Sequence, residues 1–142
     1  MAKKNEPIKY ERTLEEAVSE AFSELEGLAQ EMREAFDNTP ESLQNSGAGE
    51  ARGVAADTLE EISEAEVPEE LKSLKVSWAL FPKKNKSRAA RRDDAVTILD
   101  ECIQMLADLE DEAQKEAAEG FVDELENAKD TAESVEFPGM YG

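Results

Sequence analysis

The charge of this chain is divided into blocks along the sequence. Residues 11–70 contain 18 acidic and 3 basic residues, residues 71–105 contain 4 acidic and 8 basic residues, and residues 106–136 contain 12 acidic and 2 basic residues. The formal net charge is −19. A chain this acidic repels nucleic acid and anionic membranes at long range and attracts basic surfaces. Along the sequence, two acidic blocks flank a basic centre over residues 71–105.

Apolar residues recur at helical spacing along most of the chain, which predicts a mainly α-helical fold of three to four helices in a bundle. Thr13 is expected to cap the first helix, since Glu16 stands three residues later and completes a capping box. This helix is expected to end near Asp37, and a second helix is predicted over about residues 50–64.

The third predicted helix begins near Ser87 and extends to about Ala113. Its apolar stripe is wide, so we expect it to lie centrally and to contact two neighbours. Apolar spacing continues to residue 135, and the sequence leaves open whether residues 87–135 form one helix or two.

One segment, near residues 75–81, has the alternation of a β-strand. Val76, Trp78 and Leu80 are apolar and alternate with Lys75, Ser77 and Ala79. A lone strand is not stable, so this segment is expected to pair with another chain or to form an extended linker packed on helices.

The domain organisation predicted from these patterns has three parts. Residues 1–12 are polar and are expected to form a flexible arm. Residues 13–136 are expected to form a single helical domain, and residues 137–142 an aromatic C-terminal tail that either docks on a partner or folds back. Cys102 is the only cysteine and lies on an apolar helical stripe, so a buried, unreactive thiol is expected.

Several kinds of catalytic chemistry are excluded by residue type. The sequence contains no histidine, so it has no Ser–His or Cys–His pair and no histidine metal ligand. The segments Glu60-Glu61-x-x-Glu64 and Glu34-x-x-Asp37 are similar to the magnesium-binding carboxylates of MazG-type nucleotide pyrophosphohydrolases. They occur in reverse order, which favours solvated helix faces. We expect a protein that is not an enzyme and that uses no cofactor and no metal.

A basic stretch precedes the third helix, and it has two interpretations. Arginines at a helix N-terminus oppose the helix dipole, and a bound phosphate there would relieve that penalty while Trp78 stacks on a base. Alternatively, the cations pair with glutamates of other helices and act as an internal electrostatic clamp. The residues concerned are Lys83, Lys84, Lys86, Arg88, Arg91 and Arg92.

The acidic blocks also have two interpretations. They can be solvated helix faces that confer solubility. Alternatively, carboxylates spaced along rigid helices imitate phosphates and form a partner-binding acidic face. The residues assigned to this face are Glu15, Glu16, Glu20, Glu24, Glu31, Glu110, Asp111 and Glu112.

The sequence resembles small acidic helical proteins of unknown role that tailed bacteriophages encode. The resemblance is carried by the Thr13-Leu14-Glu15-Glu16-Ala17 start, by the block over residues 87–95, and by the end over residues 135–142. It implies a viral accessory protein, of a kind that often resembles inhibitors of host nucleic-acid enzymes or defence systems.

These observations favour a non-enzymatic interaction protein whose acidic helices bind a basic protein partner by polyanion mimicry. The alternative is a phosphate, nucleotide or nucleic-acid binding module that uses residues 83–92. The wide stripe of the third helix and the unpaired strand make a homodimer plausible. We expect no membrane association and a cytoplasmic location, in the host cytoplasm if the protein is viral.

Overall fold

The structure is a computed structural model, and it describes residues 6–82 and 86–137. Within these residues, four α-helices and two β-strands are connected by short loops and by two 3₁₀ turns, Glu41–Leu43 and Glu69–Leu71. The predicted mainly helical fold with one short β segment is confirmed. In chain order the elements are β1 (Ile8–Thr13), α1 (Leu14–Asp37), α2 (Gly47–Glu60), β2 (Lys75–Leu80), α3 (Arg88–Ala107) and α4 (Glu112–Ser134).

Helix α1 begins with the capping box that the sequence predicts. The Thr13 hydroxyl accepts a hydrogen bond from the backbone N–H of Glu16 at 3.2 Å, and the Glu16 carboxylate accepts one from the backbone N–H of Thr13 at 3.2 Å. These two bonds satisfy donors that would otherwise be unpaired at the helix N-terminus. The helix ends at Asp37, as predicted.

Helix α2 begins and ends earlier than the sequence predicts. Its boundaries are Gly47 and Glu60, because Ser46 caps the helix and its hydroxyl accepts a hydrogen bond from the backbone N–H of Gly49 at 3.2 Å. The predicted start near residue 50 leaves out Gly47 and Gly49, which have low helix propensity. The cap outweighs the low helix propensity of these residues.

The segment over residues 87–135 forms two helices. Helix α3 ends at Ala107, and α4 begins at Glu112 because the Asp111 carboxylate accepts a hydrogen bond from the backbone N–H of Gln114 at 3.0 Å. Helix α3 packs against α1, α4 and β2. The predicted central position of the third helix is therefore confirmed.

Strand β1 corrects the prediction of a flexible arm over residues 1–12. Residues 8–13 pair antiparallel with β2, with Tyr10 opposite Trp78, so the partner of β2 lies in the same chain. The two rings stack with centroids 5.8 Å apart, and the Arg12 guanidinium lies over the Tyr10 ring. These long-range contacts order a segment that is polar in sequence. The first five residues of the predicted arm lie outside the described residues.

Buried apolar side chains from all four helices and from β2 form one core cluster. Cys102 is fully buried in it, and this burial raises the pKa of its thiol to about 12, as expected for an unreactive cysteine. Phe137 packs against the core at its edge, and the rest of the predicted aromatic tail lies outside the described residues. None of the helices in the described residues is long and apolar enough to cross a membrane.

Three glycines in helices differ in how closely the chain approaches them. A Cβ added to Gly49 would overlap the backbone of Leu43 and Gln44, because the preceding turn lies directly against the start of α2. A Cβ added to Gly27 or Gly120 would meet nothing within 4 Å. Gly120 therefore does not mark a close helix crossing.

We expect Gly49→Ala to lower the free energy of unfolding by about 1–3 kcal/mol, because the backbone must shift. Gly27→Ala and Gly120→Ala serve as matched controls and should each raise it by about 0.5–1 kcal/mol, since alanine has the higher helix propensity. Urea denaturation followed by circular dichroism measures all three. A neutral or stabilising Gly49→Ala would contradict the close approach.

Candidate functional site

The first turn of α3 is joined to α1 by a group of ion pairs that we call the arginine clamp, formed by Arg88, Arg91, Glu24 and Glu31. Arg91 donates from Nε to Glu24 at 2.7 Å and from its two Nη atoms to the two Glu31 oxygens at 3.0 and 2.7 Å. Arg88 donates from Nε to Glu31 at 3.2 Å. Bidentate contacts of this kind combine charge with fixed geometry.

The clamp is partly buried, which strengthens its electrostatics relative to a surface pair. The Arg91 side chain is 29% exposed and the two glutamate side chains are 38% exposed. The pKa of Glu31 is lowered, chiefly because Arg91 donates hydrogen bonds to its carboxylate, while burial opposes this shift. The pKa of Arg91 is raised, chiefly by the same hydrogen bonds. The glutamates also offset the penalty of placing cations at the α3 N-terminus.

Arg92 joins α3 to the end of α4. One of its Nη atoms donates to the backbone carbonyls of Ala132 and Val135 at 2.9 and 2.8 Å, and its Nε donates to Asp93 at 2.7 Å. Its guanidinium also lies over the Phe137 ring, 5.6 Å from the ring centroid. The carbonyls at a helix C-terminus lack partners within the helix, so a cation there completes the α4 cap.

Lys86 and Trp78, the other described residues of the predicted basic site, are also engaged within the chain. Lys86 pairs with Asp94. Lys83 and Lys84 lie outside the described residues. Trp78 is 4% exposed and stacked on Tyr10, so its ring presents little surface on which a base could stack.

Of the two interpretations of the basic stretch, the geometry matches the internal clamp. Each described cation of the stretch contacts a carboxylate of the same chain. The acidic partners come from α1 for Arg88 and Arg91 and from α3 itself for Arg92 and Lys86. These contacts neutralise the cations that a phosphate would need.

The predicted acidic face does not form one surface. At the start of α1, Glu15 lies 3.4 Å from the Lys72 ammonium, and Glu16 is part of the capping box. Glu20 lies 3.8 Å from the Arg12 guanidinium. These three glutamates support local structure and remain exposed.

The other predicted acidic residues also divide between two regions. Glu24 and Glu31 face α3 within the clamp, so they are not available to a partner. Glu110 is exposed, Asp111 caps α4, and Glu112 opens α4 with Lys115 at 3.9 Å. Of the residues predicted for the acidic face, only those at the start of α4 belong to an acidic surface that is open to a partner. This surface continues along α4.

The predicted acidic face does not include that longer surface, although the spacing of acidic residues in the sequence indicates it. Seven acidic residues of α4 recur at alternating intervals of four and three, which places them in one line along a helix. All seven are exposed, and they lie opposite the side of α4 that packs on the core. We call this line the α4 carboxylate stripe: Glu112, Glu116, Glu119, Asp123, Glu126, Asp130 and Glu133.

The stripe is long, regular and almost uncompensated. Its ends are 21 residues apart in sequence, which corresponds to about 32 Å of helix. Within the described residues, the one cation that contacts it is Lys115, 3.9 Å from Glu112. Lys129 points away from it and lies 3.4 Å from Asp100 of α3. The packed side of α4 thus holds in place the helix that presents seven exposed carboxylates.

A second cross-helix contact, between α1 and α2, involves the carboxylates that are similar to a magnesium site. Arg33 donates to Glu60 at 3.1 and 2.8 Å and also contacts Asp57. This arrangement lowers the pKa of Glu60, chiefly through the Arg33 hydrogen bonds. No group of three or more acidic or cysteine side chains in the described ranges is placed to hold a metal ion.

We expect Arg91→Met, which keeps the side-chain length but removes the guanidinium, to lower the free energy of unfolding by about 1–2 kcal/mol. The variant loses three charge-assisted hydrogen bonds, each weakened by partial exposure. Lys115→Met, which removes an exposed pair, should change stability by less than about 0.5 kcal/mol. Urea denaturation measures both, and equal effects would contradict a structural role for the clamp.

The contribution of the clamp should depend on pH. Because the pKa of Glu31 is lowered in the folded state, its stabilisation is present above the ordinary value of 4.5 and is lost as the pH falls through the lowered pKa. The stability difference between the wild type and Arg91→Met should therefore be largest near neutral pH and shrink below 4.5. Denaturation over a pH series checks this, and a difference independent of pH would contradict it.

No family model matches this chain, and neither do the curated proteins nor the solved structures. The resemblance to small acidic phage proteins therefore stays a prediction from sequence. The features that bear on function are the arginine clamp, which uses the described basic residues internally, and the α4 carboxylate stripe, which presents acidic residues to solvent.

Proposed function

We propose that this protein is a non-enzymatic interaction protein that binds a basic surface of a partner protein through the α4 carboxylate stripe. The observation that carries the proposal is the stripe itself: seven exposed carboxylates in one line on a helix that the core holds in place. The acidic residues of α1 that sequence assigns to this role are engaged in contacts of their own, so the binding surface is α4.

The spacing of the stripe supports mimicry of a nucleic-acid strand. Seven charges over about 32 Å give one charge per about 5 Å, compared with about 3.4 Å along one strand of DNA. The stripe therefore resembles a single line of phosphates more closely than a whole duplex. Because the charges lie on a preformed helix, little backbone conformational entropy is lost when a basic groove binds them.

The kind of partner follows from the same chemistry together with the resemblance to phage proteins. A protein that handles nucleic acid presents a line of lysines and arginines, and the field of this acidic chain would accelerate their encounter. We infer a viral accessory protein that inhibits a host enzyme or defence protein by occupying its nucleic-acid site.

The alternative, a phosphate or nucleic-acid binding module, is less well supported. An anion at the α3 N-terminus would compete with Glu24 and Glu31 for Arg91, and these carboxylates are held at 2.7 Å. Such a ligand would have to break the clamp before it could bind. The proposed function requires no such change.

A variant with a neutralised stripe tests the proposal. Glu119→Gln, Asp123→Asn, Glu126→Gln and Asp130→Asn together remove four negative charges and leave the core untouched. We expect the proteins captured from a bacterial lysate by the wild type to include nucleic-acid-binding proteins that single-stranded DNA displaces from it. The amount of these proteins that the variant captures should fall at least about tenfold, because the contacts between opposite charges would be absent.

The matched control removes the same charge elsewhere. Glu34→Gln, Glu61→Gln, Glu66→Gln and Glu70→Gln neutralise exposed residues of α1 and of the segment after α2. This variant should capture the same proteins as the wild type. Equal loss in both variants would show a non-specific effect of net charge, and unchanged capture by the stripe variant would exclude the stripe as the binding surface.

A further inference from the structure

Within the part of the chain that the structure describes, the outer edge of β1 is open. The strand has six residues, and its ladder runs to β2 along one edge. In the described residues, no other segment makes a backbone hydrogen bond with residues 8–13. An open strand edge of this length presents unpaired N–H and C=O groups and is a template for a further strand.

We propose that the occupant of this edge is β1 of a second copy of the chain, paired antiparallel about a two-fold axis at Tyr10. The two-stranded sheets of the two copies then form one four-stranded sheet in the order β2, β1, β1, β2. Such an interface is isologous, because the same strand contributes both sides. In this register, Lys9 of each copy lies opposite Glu11 of the other.

The charges of β1 carry this choice of partner. Within its own chain, Lys9 is opposite Ala79 and Glu11 is opposite Ser77, so neither has a charged neighbour across the ladder. Both side chains are exposed. Two antiparallel copies of the strand are complementary in charge. Lys9 of each copy lies opposite Glu11 of the other. Opposite charges directly across an antiparallel pair are favourable, whereas like charges are not.

The two strands also differ in charge from the strongly acidic chain as a whole. Strands β1 and β2 contain three basic residues, Lys9, Arg12 and Lys75, and one acidic residue, Glu11. The α4 carboxylate stripe belongs to a different element, so the proposed pairing does not depend on the proposed function.

An exposed apolar residue at the end of β1 supports the same register. Ile8 is 46% exposed, which is high for an isoleucine in a strand. In the two-fold pairing Ile8 lies opposite Arg12 of the second copy, whose aliphatic stem can cover it. The other edge of the sheet is less open, because β2 shares a groove with Met105 and Asp108 of α3.

Charge reversal tests the pairing on the full-length chain. Sedimentation analysis over a wide range of protein concentration should show a monomer–dimer equilibrium for the wild type. In a dimer of Lys9→Glu, a glutamate lies opposite a glutamate in both of the symmetry-related pairs. In a dimer of Glu11→Lys, a lysine lies opposite a lysine in both pairs. Each should weaken dimerisation at least about tenfold, because like charges then oppose each other.

Two further samples make the test specific for this register. The double variant Lys9→Glu with Glu11→Lys restores both pairs and should dimerise like the wild type. An equimolar mixture of the two single variants should form a heterodimer, since every lysine again meets a glutamate. Lys75→Glu, a charge reversal on β2 opposite Thr13, is the matched control and should leave dimerisation unchanged.

The proposal is overturned by a wild type that remains monomeric, or by single variants that dimerise like the wild type. It is also overturned if Lys75→Glu abolishes dimerisation while Lys9→Glu does not, because the contact would then lie on β2. Circular dichroism and thermal melting of each variant establish that it is folded. The reversed residues have no ion pair within the described chain, so we expect unchanged melting.

Discussion

The contact of Arg91 with Glu24 and Glu31 is the interaction on which the arrangement of the helices depends. The first turn of α3 carries three arginines, and together they reach α1 on one side and the end of α4 on the other. In a chain with 35 acidic and 16 basic residues, cations placed at helix junctions neutralise carboxylates where close packing would otherwise bring like charges together. A hydrophobic core sets how far apart the helices lie, but it is non-directional, and the bidentate contact fixes their rotation and register.

The sequence predicts those parts of the fold that depend on local periodicity. The capping box of Thr13 and Glu16, the length of α1 and the central position of α3 follow from the spacing of apolar and capping residues. Strand β1 could not be predicted in the same way, because Lys9, Glu11 and Arg12 make it polar and its order comes from the distant Trp78. Asp111 and Gln114 have the spacing of a capping pair, so the sequence does indicate that a new helix begins at this point.

The sequence predicts the charges of the candidate site, but it does not predict which way the charged side chains face. Composition identifies an acidic protein with a basic centre, but it does not say which glutamates face another helix. Glu24 and Glu31 lie seven residues apart and flank the apolar stripe of α1, and such flanking positions are where pairs form across a helix junction. The contact of Arg92 with two backbone carbonyls has no sequence signature at all, since every residue carries a carbonyl.

The α4 carboxylate stripe has a cost for the folded protein. Its six successive pairs are neighbours three or four residues apart, and like charges at this spacing destabilise a helix by about 0.2–0.5 kcal/mol each, or about 1–3 kcal/mol in all. Solubility does not require this arrangement, because the same charges dispersed over the surface would repel one another less. The proposed binding to a line of cations would offset these repulsions, and their relief would add to the affinity of the complex. The proposed basic partner therefore accounts for a regular line of carboxylates that solvation alone does not require.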